Sequence, residues 1–488
     1  MTPNSADVVT HHVLKREFTL WSSFAFAFAF ISPIVALYGI FGLAYSTAGP
    51  GFWWNFLIVF GGQLLVSFVF AELVSRWPIE GSIYQWSGRL IGQSYGWLAG
   101  WFYMWTLVVA MATVAIGAGG FVARVIGQDP TAIAMKIGSL AMSKQVAIGL
   151  IILVLGTIAN TTGRTVLKIL MTGSIIAEIL GSIGLGTLLL IFHRNNDLSV
   201  VTKSFSQHGY LSLSGPFLVT MAFVGFSFVG FESAGSIAEE VKNPKRNLPK
   251  AIIFSISFVA LVVIFASLAI ILSIPSGVAA HSADPVYDTL KVELGTGAAK
   301  FAEVLFTIGF LASFLALQTS ASRIIWAFAR DKALPASKAL SILSRKQKQP
   351  IVSLFIATAI GAIMMILSQT TPNFYTLMIN FTTGGFFLAF LFPLAGAVLS
   401  KVRGDWLPGP FNFGRASKAL SFIALLWALF MFLNISWPRH VYSNARYLDF
   451  SVWIASIGLL IVGLVISTSL RNRMTLVAIE DIDANDHQ

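Results

Sequence analysis

The sequence predicts an all-α membrane protein with about 12 transmembrane helices. Its composition is the first reason, because 56% of the 488 residues are hydrophobic, only 11% are charged, and the mean hydropathy is +0.78. The second reason is that apolar runs of about 20 residues recur along nearly the whole chain, and such a run crosses a bilayer as a helix. The alternating pattern of a membrane β-barrel does not occur in the sequence, which favours helices.

Hydrophobic runs place the twelve helices in order. A polar opening segment precedes the first run, and both are too long for a cleaved signal peptide. We therefore expect the first helix to remain in the mature protein. The loops between the runs are too short to fold as separate domains. The predicted helices are about 20–46, 52–75, 95–123, 143–161, 165–192, 214–238, 250–274, 297–330, 351–368, 374–400, 418–436 and 450–470.

The distribution of positive charge predicts the orientation. The net charge is +11, and twelve crossings put both termini on one side. Of the 32 Lys and Arg residues, 22 fall on the side of the termini and 9 on the other side. Positive residues concentrate in cytoplasmic loops, so we expect both termini in the cytoplasm and the protein in the plasma or inner membrane. The same distribution explains the positive net charge, so a nucleic-acid partner is not needed to account for it.

Several functions are excluded by what the sequence lacks. It has no cysteine, which rules out a disulfide-linked partner subunit and a thiol nucleophile but leaves a noncovalent homodimer open. It has no HExxH motif, Walker A loop or nucleophile elbow. GSIGLG in helix 5 has neither the spacing nor the preceding strand of a dinucleotide site. We therefore expect no enzyme, catalytic residue, cofactor or metal.

Two predicted helices contain residues that interrupt helical geometry in mid-membrane. Pro33 in helix 1 removes a backbone donor and disfavours helical geometry at Ser32, although a plain proline kink is an alternative. In helix 6, Gly225 and Gly230 are the first and last residues of the stretch GFSFVG. Matching interruptions in helices 1 and 6 are typical of transporters with a 5+5 inverted repeat. The expected division is a tail (1–19), two five-helix repeats (20–192 and 214–400), helices 11 and 12 (418–470) and a tail (471–488).

Four acidic residues lie within the predicted helices, where a charge is costly. Glu232 follows the helix 6 interruption and either caps the broken helix or carries a proton or ligand. Glu178 in helix 5 has no basic residue within a turn and is either a coupling site or a structural hydrogen bonder. Glu72 is expected to pair with Arg76 one turn later, and Glu303 is expected to be partly solvated near the outer surface.

Three segments resemble one family of transporters. GFESAGSIAEEVKNPKRNLPKAI (230–252) resembles the end of helix 6 in the amino acid-polyamine-organocation permeases. AELVSRWPIEGSIYQW (71–86) resembles the junction of helices 2 and 3 in that family, and SRIIWAFARDKALP (322–335) resembles the exit of helix 8. The resemblance covers about residues 15–470. It implies the leucine-transporter type of fold, with helices 1 and 6 discontinuous and a small amine or amino acid bound between them.

The resemblance also implies a site. Backbone N–H groups at the breaks would receive a substrate carboxylate and backbone carbonyls its ammonium. Phe226 falls where related permeases place an aromatic gate. The implied substrate-binding residues are Ile31, Ser32, Pro33, Ile34, Phe226, Ser227, Phe228, Val229 and Gly230, and the candidates for ion coupling are Glu178, Glu232, Gln318 and Thr319.

Three departures from the family pattern bear on the substrate and the coupling ion. Ile-Ser-Pro replaces the usual Gly-Ser-Gly of helix 1, as in the branch that contains GABA and choline permeases. Ser82 replaces the second glycine of a Gly-Gly pair. Glu178 stands near the position where several proton-driven relatives carry a lysine in place of a sodium ion, and Gln318 and Thr319 are expected to face the same region. We favour a proton as the coupling ion, with Na+ left open.

The resulting hypothesis is a secondary transporter that imports an amino acid or related small amine across the lipid bilayer by alternating access, driven by protons. A choline, polyamine or GABA permease, or an exchanger of the same fold, is the alternative within the family. A nutrient sensor with this fold and a passive channel are the alternatives from other classes. A sensor is disfavoured because the predicted tails are short.

Overall fold

The chain folds into a bundle of long helices in the computed structural model, which describes residues 16–475 except 139, 163, 206–208, 280–281, 283, 346–347, 371–373 and 440–445. Within this part of the chain, twelve helices are long and apolar enough to cross a membrane. The predicted fold class is thereby confirmed. Helices 1 to 12 are Leu20–Tyr38, Pro50–Arg76, Gln93–Val125, Lys144–Thr162, Leu167–Phe192, Pro216–Glu240, Pro244–Ser273, Pro285–Arg330, Ile351–Thr370, Tyr375–Arg403, Gly414–Ser436 and Ser451–Leu470.

Shorter elements lie between or at the ends of these helices. The predicted loop 124–142 contains a two-stranded antiparallel hairpin, Ile133–Ile137 with Leu140–Ser143. Helix 8 begins earlier than predicted, at Pro285, and bends at Gly295, whose φ is 84°. Parts of the two predicted tails, residues 1–15 and 476–488, lie outside the described residues. The remaining short helices are Phe41–Ala48, Ile83–Leu90, Leu198–Thr202, Ser276–Ala279, Ser337–Leu340 and Arg446–Asp449.

Burial separates central helices from peripheral ones. In the apolar windows of helices 3, 6 and 1, 89%, 83% and 78% of the residues are buried, whereas the figure for helix 12 is 17%. Apolar side chains that stay exposed on a membrane helix face lipid, so helix 12 lies at the periphery. Both helices with interruptions are thus in the centre of the bundle, where irregular backbone is tolerated.

The two described ends of the chain meet at one end of the bundle. The backbone N–H of Glu17 donates to the carbonyl of Glu240, and that of Thr475 donates to the carbonyl of Asp331. Arg323 forms an ion pair with Glu240, which joins the ends of helices 6 and 8 at the same place. We call this the terminal end of the bundle. The opposite end, where helix 3 finishes and helix 8 begins, is called the far end.

Glu72 forms a buried ion pair, but its partner is not the predicted Arg76. The Nζ of Lys401 lies 2.6 Å from Oε2 of Glu72, and the two side chains are 3% and 1% exposed. Ser417 Oγ and the backbone N–H of Phe413 also donate to the Glu72 carboxylate, at 2.7 and 2.8 Å. The prediction of a local pair was wrong, because folding brings Lys401 to Glu72 from 329 positions away.

We expect Lys401→Met to lower the free energy of unfolding by about 3–5 kcal/mol, because it leaves the Glu72 carboxylate buried and unpaired. The double variant Glu72→Gln with Lys401→Met should recover most of that loss, since no uncompensated charge remains. Thermal unfolding of the purified protein in detergent measures both effects. Equal melting temperatures for Lys401→Met and the wild type would contradict the role assigned to this pair.

Candidate functional site

Helix 1 is interrupted at Ser32. The helical segments Leu20–Ile31 and Pro33–Tyr38 flank this residue, whose φ of 51° and ψ of 112° are not helical. Pro33 has no backbone N–H, and its ring disfavours helical geometry at the preceding residue, so the chain leaves the helix there. The prediction of an interruption rather than a plain kink agrees with this backbone. The second segment begins a new helix with its own N-terminal N–H groups.

Glu178 from helix 5 caps the second segment of helix 1. Its Oε2 accepts a hydrogen bond of 2.9 Å from the backbone N–H of Ile34, and its Oε1 accepts one from the Ser32 hydroxyl. The backbone N–H of Val35 donates to Ser32 Oγ at 3.1 Å. Pro33 has no N–H, so the first two backbone donors of the segment are the N–H groups of Ile34 and Val35. Both have a hydrogen-bond acceptor. Glu178 is fully buried, so its carboxylate fills the place where a helix N-terminus favours an anion.

Helix 6 is interrupted between Phe228 and Phe231. A 3-10 turn at Phe226–Phe228 is followed by Val229 in an extended conformation and by Gly230 with φ of 102°. That φ is rarely adopted by L residues. A Cβ added to Gly230 would lie 2.3 Å from Cδ1 of Phe30 in helix 1. Glycine is therefore required both by the backbone and by the close approach of the two interrupted helices.

Glu232 caps the second segment of helix 6. Its Oε2 accepts a hydrogen bond of 3.0 Å from the backbone N–H of Gly230, and its Oε1 accepts one of 3.1 Å from the Tyr103 hydroxyl. Glu232 is fully buried. These contacts match the structural alternative of the sequence analysis, in which the carboxylate stabilises the start of a broken helix. Both breaks thus have a buried carboxylate on a backbone N–H, although Glu178 comes from another helix and Glu232 belongs to the capped segment itself.

Side chains from other helices hold the carbonyls near both breaks. The Ser313 hydroxyl donates to the carbonyl of Phe30 at 2.8 Å, and Gln63 Nε2 donates to the carbonyl of Phe228 at 3.1 Å. Ser227 Oγ donates to the carbonyl of Ala36 at 2.5 Å. Ser313, Gln63 and Tyr103 are not among the site residues predicted from the sequence. Each is a polar residue in an apolar run, which is a detectable signal, but the sequence does not reveal the partner.

Gln318 and Thr319 of helix 8 belong to a separate cluster. Asn160 Nδ2 donates to Gln318 Oε1 at 2.7 Å, and the Thr319 hydroxyl donates to Asn160 Oδ1 at 2.9 Å. Glu178 approaches helix 8 at Gly309, where an added Cβ would be 3.0 Å from its Oε1. At 1.5 Å per residue, Gln318 lies roughly 13 Å farther along the helix. The structure thus does not bring these two residues to Glu178, and their part in coupling stays a prediction.

A cavity of about 300 Å³ opens at the far end. Tyr38, which follows the helix 1 break, stacks on Phe306 with ring centroids 3.8 Å apart and donates to the carbonyl of Gly181 at 2.7 Å. Both rings line the cavity. Glu303 also lines it and forms an ion pair of 3.0 Å with Arg124. Glu303 is 1% exposed, so the prediction that it is partly solvated was wrong: helix 3 supplies an arginine that compensates its burial.

Ion pairs pack the terminal end. Arg330 Nη1 lies 2.7 Å from Glu239 Oε1, and Arg330 Nε lies 3.1 Å from Asp331 Oδ1. Arg323 Nε lies 3.0 Å from Glu240 Oε1. These contacts tie helix 6 to helix 8, whereas the far end of helix 8 borders the cavity through Val286, Glu303 and Phe306. Among the described residues, no group of three or more His, Cys, Asp or Glu could hold a metal ion.

We expect Gly230→Ala to destabilise the protein by about 2 kcal/mol or more, because the added methyl group meets Phe30 and the backbone has a positive φ. Gly173→Ala in helix 5 is the matched control, since a Cβ there meets nothing within 4 Å. Melting temperatures of the two purified variants provide the comparison. A Gly230→Ala variant as stable as Gly173→Ala would show that the break tolerates a side chain.

Several known proteins are similar in sequence to this chain over most of its length. An amino-acid permease of Schizosaccharomyces pombe, described as uncharacterized, is 25% identical over 90% of this chain and 81% of its own. The branched-chain amino acid permease BcaP of Bacillus subtilis is 26% identical over 93% and 92%. The amino-acid permease BAT1 of Arabidopsis thaliana is 24% identical over 90% and 88%.

The sequence pattern of one protein family matches as well, over residues 18–465. That family is described as "Amino acid permease". The match includes all of helices 1 to 11, both interruptions and both capping glutamates, and it extends into helix 12. The chain belongs to the amino acid permease family.

Proposed function

We propose that this protein is a secondary active transporter that imports an amino acid or a related small amine by alternating access, with protons as the coupling ion. One observation carries the proposal: two interrupted helices meet at the centre of the bundle, and each presents a helix N-terminus held by a buried carboxylate. Discontinuous helices of this kind form the substrate site in transporters with inverted repeats. The cavity at the far end and the ion-paired terminal end support a state in which only one side has access.

Glu178 links substrate binding to a proton in this proposal. The N–H of Ile34, which would receive a substrate carboxylate, is already bonded to Glu178 at 2.9 Å. A substrate carboxylate therefore has to displace Glu178. The displaced side chain then either takes up a proton or pairs with the substrate ammonium, because an isolated buried carboxylate is too costly. Either outcome makes substrate affinity depend on the protonation of Glu178.

The remaining candidate residues supply shape and backbone polar groups. Ile31 to Ile34 and Phe226 to Gly230 surround the two breaks, and Phe226 is the proposed aromatic gate; it is 9% exposed. Glu232 is proposed to hold the start of the second segment of helix 6 rather than to carry the proton, since two donors already satisfy it. Gln318 and Thr319 are proposed to fix helix 8 against helix 4.

The proposed direction of transport, import, is compatible with the predicted orientation. The excess of positive residues on the side of the termini supports a cytoplasmic terminal end in the cell membrane. The cavity at the far end then faces the outside, as an importer requires before it binds substrate. A noncovalent homodimer is compatible with this proposal but is not needed for it.

The substrate class has two candidates. The similarity to a branched-chain amino acid permease favours an apolar amino acid. The occupied donors of helix 1 favour instead a cation without a carboxylate, such as choline or a polyamine, for which Glu178 would be the counter-ion. The two candidates differ in whether Glu178 must leave its position when the substrate binds.

Uptake into proteoliposomes tests the proposal directly. We expect the purified protein to accumulate at least one radiolabelled compound from a panel of leucine, valine, GABA, choline and putrescine when the outside is acidic. Uptake that never exceeds equilibration would indicate a passive channel. The absence of any uptake or exchange across a wider panel of amino acids and amines would reject transport and favour a sensor.

We expect Glu178→Gln to lower proton-driven accumulation about 100-fold while preserving counterflow exchange, because an amide keeps an acceptor oxygen but cannot carry a proton. Glu293→Gln is the control, since that carboxylate lies at the far end with His193 and Asn195. Both are measured in the same vesicles with and without a pH gradient. Accumulation by Glu178→Gln with an unchanged pH dependence would reject the proton role.

A further inference from the structure

Glu80 is a buried acid whose carboxylate has no hydrogen-bond partner among the described residues. It lies in the segment between helices 2 and 3, at the terminal end, and is fully buried. Neither of its carboxylate oxygens has a hydrogen-bond partner within the described part of the chain. Only its backbone N–H is engaged, by Oε1 of Glu239 at 3.1 Å. Buried polar groups in native proteins are almost always paired, so this residue needs an explanation.

The charges around Glu80 do not compensate it. Glu239 and Glu240 of helix 6 act on it unfavourably, and Arg323 and Arg330 of helix 8 act on it favourably. Arg323 pairs with Glu240, and Arg330 pairs with Glu239 and Asp331 through Nη1 and Nε. The Nη2 of Arg330 has no hydrogen-bond partner among the described residues, and it makes no hydrogen bond to Glu80 either. The neighbouring cluster also contains Tyr84 and Arg89 of its own segment, which interact with Asp331. We call these eight residues, Glu80, Tyr84, Arg89, Glu239, Glu240, Arg323, Arg330 and Asp331, the terminal cluster.

A proton resolves this imbalance. The terminal cluster contains four carboxyl groups and three guanidinium groups. Burial, followed by the charges of Glu240 and Glu239, raises the pKa of Glu80 well above its ordinary value. A carboxylic acid costs far less to bury than a carboxylate, so the closed arrangement is compatible with a neutral Glu80.

We propose that Glu80 is a proton-binding site that holds the terminal end closed while it is protonated and releases its proton to the cytoplasm when that end opens. This proposal rests on the proposed function, because it assigns the terminal end to the cytoplasm and treats its opening as a step of transport. It adds a second protonation site, far from the helix breaks, whose task is to gate the path rather than to bind substrate.

The direction of the pH effect follows from linkage. Opening exposes Glu80 to water and returns its pKa toward the ordinary value of about 4.3. The closed state therefore binds the proton more tightly than the open state does. Its advantage is fully present below the open-state pKa and is lost as the cytoplasmic pH rises through the closed-state pKa. For one proton, the ratio of open to closed molecules rises by at most about tenfold per pH unit.

The absence of cysteine from the natural sequence makes a clean reporter available. Ser236→Cys places one thiol on helix 6 at a buried position, where the native hydroxyl lies 2.8 Å from Ser320 Oγ. Its rate of labelling by a maleimide is measured on the full-length protein in lipid nanodiscs, without substrate, between about pH 6 and 9. Dividing by the rate for Lys338→Cys, an exposed position, corrects for the pH dependence of an exposed thiol, and the variants of Glu80 are compared at the same reporter thiol.

We expect the normalised labelling rate to rise with pH in the otherwise native protein and to stay low and flat with Glu80→Gln, which mimics the protonated acid. The double variant Glu72→Gln with Lys401→Met is the matched control, because it also removes a buried acid near the terminal end but leaves no uncompensated charge, and it should keep the slope. A slope with Glu80→Gln equal to that of the native protein would overturn the proposal, as would a flat profile in the native protein.

A second variant covers the case in which Glu80→Gln does not fold. Glu80→Ala also removes the titrating group, so its profile should likewise lack the native slope, and retention of that slope would refute the assignment. This test and the transport test can fail separately. If no substrate is transported but the slope depends on Glu80, the transport proposal is rejected and the proton site at Glu80 is supported. If transport is intact but the slope survives Glu80→Gln, the proton site is rejected and the transport proposal is supported.

Discussion

The structure depends on one constraint: a polar backbone group at membrane depth must find a partner inside the protein. The regular backbone hydrogen bonds of helices 1 and 6 are interrupted at Ser32 and Gly230. Side chains near the breaks take the place of the missing backbone partners. Glu178 and Glu232 accept from the freed N–H groups, while Ser313 and Gln63 donate to carbonyls near the breaks. Burying these polar side chains in the membrane would otherwise cost free energy, but at the breaks each one has a backbone group as its hydrogen-bond partner.

The same constraint explains how a structural cap can become part of a transport cycle. A hydrogen bond to a charged group contributes about 1.5–3 kcal/mol, and an incoming carboxylate can make the same bond. Exchanging Glu178 for a substrate carboxylate at the Ile34 N–H therefore costs little in hydrogen bonding. What remains is the charge of the displaced side chain, which a proton or a substrate ammonium can neutralise. In the proposed mechanism, ion coupling arises from that remaining charge.

Much of the fold could be predicted from the sequence because its signals are local. Apolar runs located all twelve helices, and Pro33 and Gly230 marked the two interruptions. The partners could not be predicted, because each contact joins residues distant in sequence: 146 positions separate Ser32 from Glu178 and 329 separate Glu72 from Lys401. The neighbouring residues in the sequence predict that Glu72 pairs with Arg76 and that Glu303 is partly solvated. In the structure Glu72 pairs instead with Lys401, and Glu303 is buried and pairs with Arg124.

Glu178 and Glu80 show why burial alone does not define the role of an acid. Both are fully buried, yet Glu178 accepts two hydrogen bonds, whereas neither oxygen of Glu80 has a partner in the described chain. Hydrogen-bond donors stabilise the charged form of a carboxyl group, so in the proposed mechanism Glu178 binds a proton only when a substrate carboxylate takes those donors. Glu80 lacks them in the closed state and gains water only when the terminal end opens. Under the two proposals, protonation of Glu178 therefore responds to the substrate and protonation of Glu80 responds to the conformation of the terminal end.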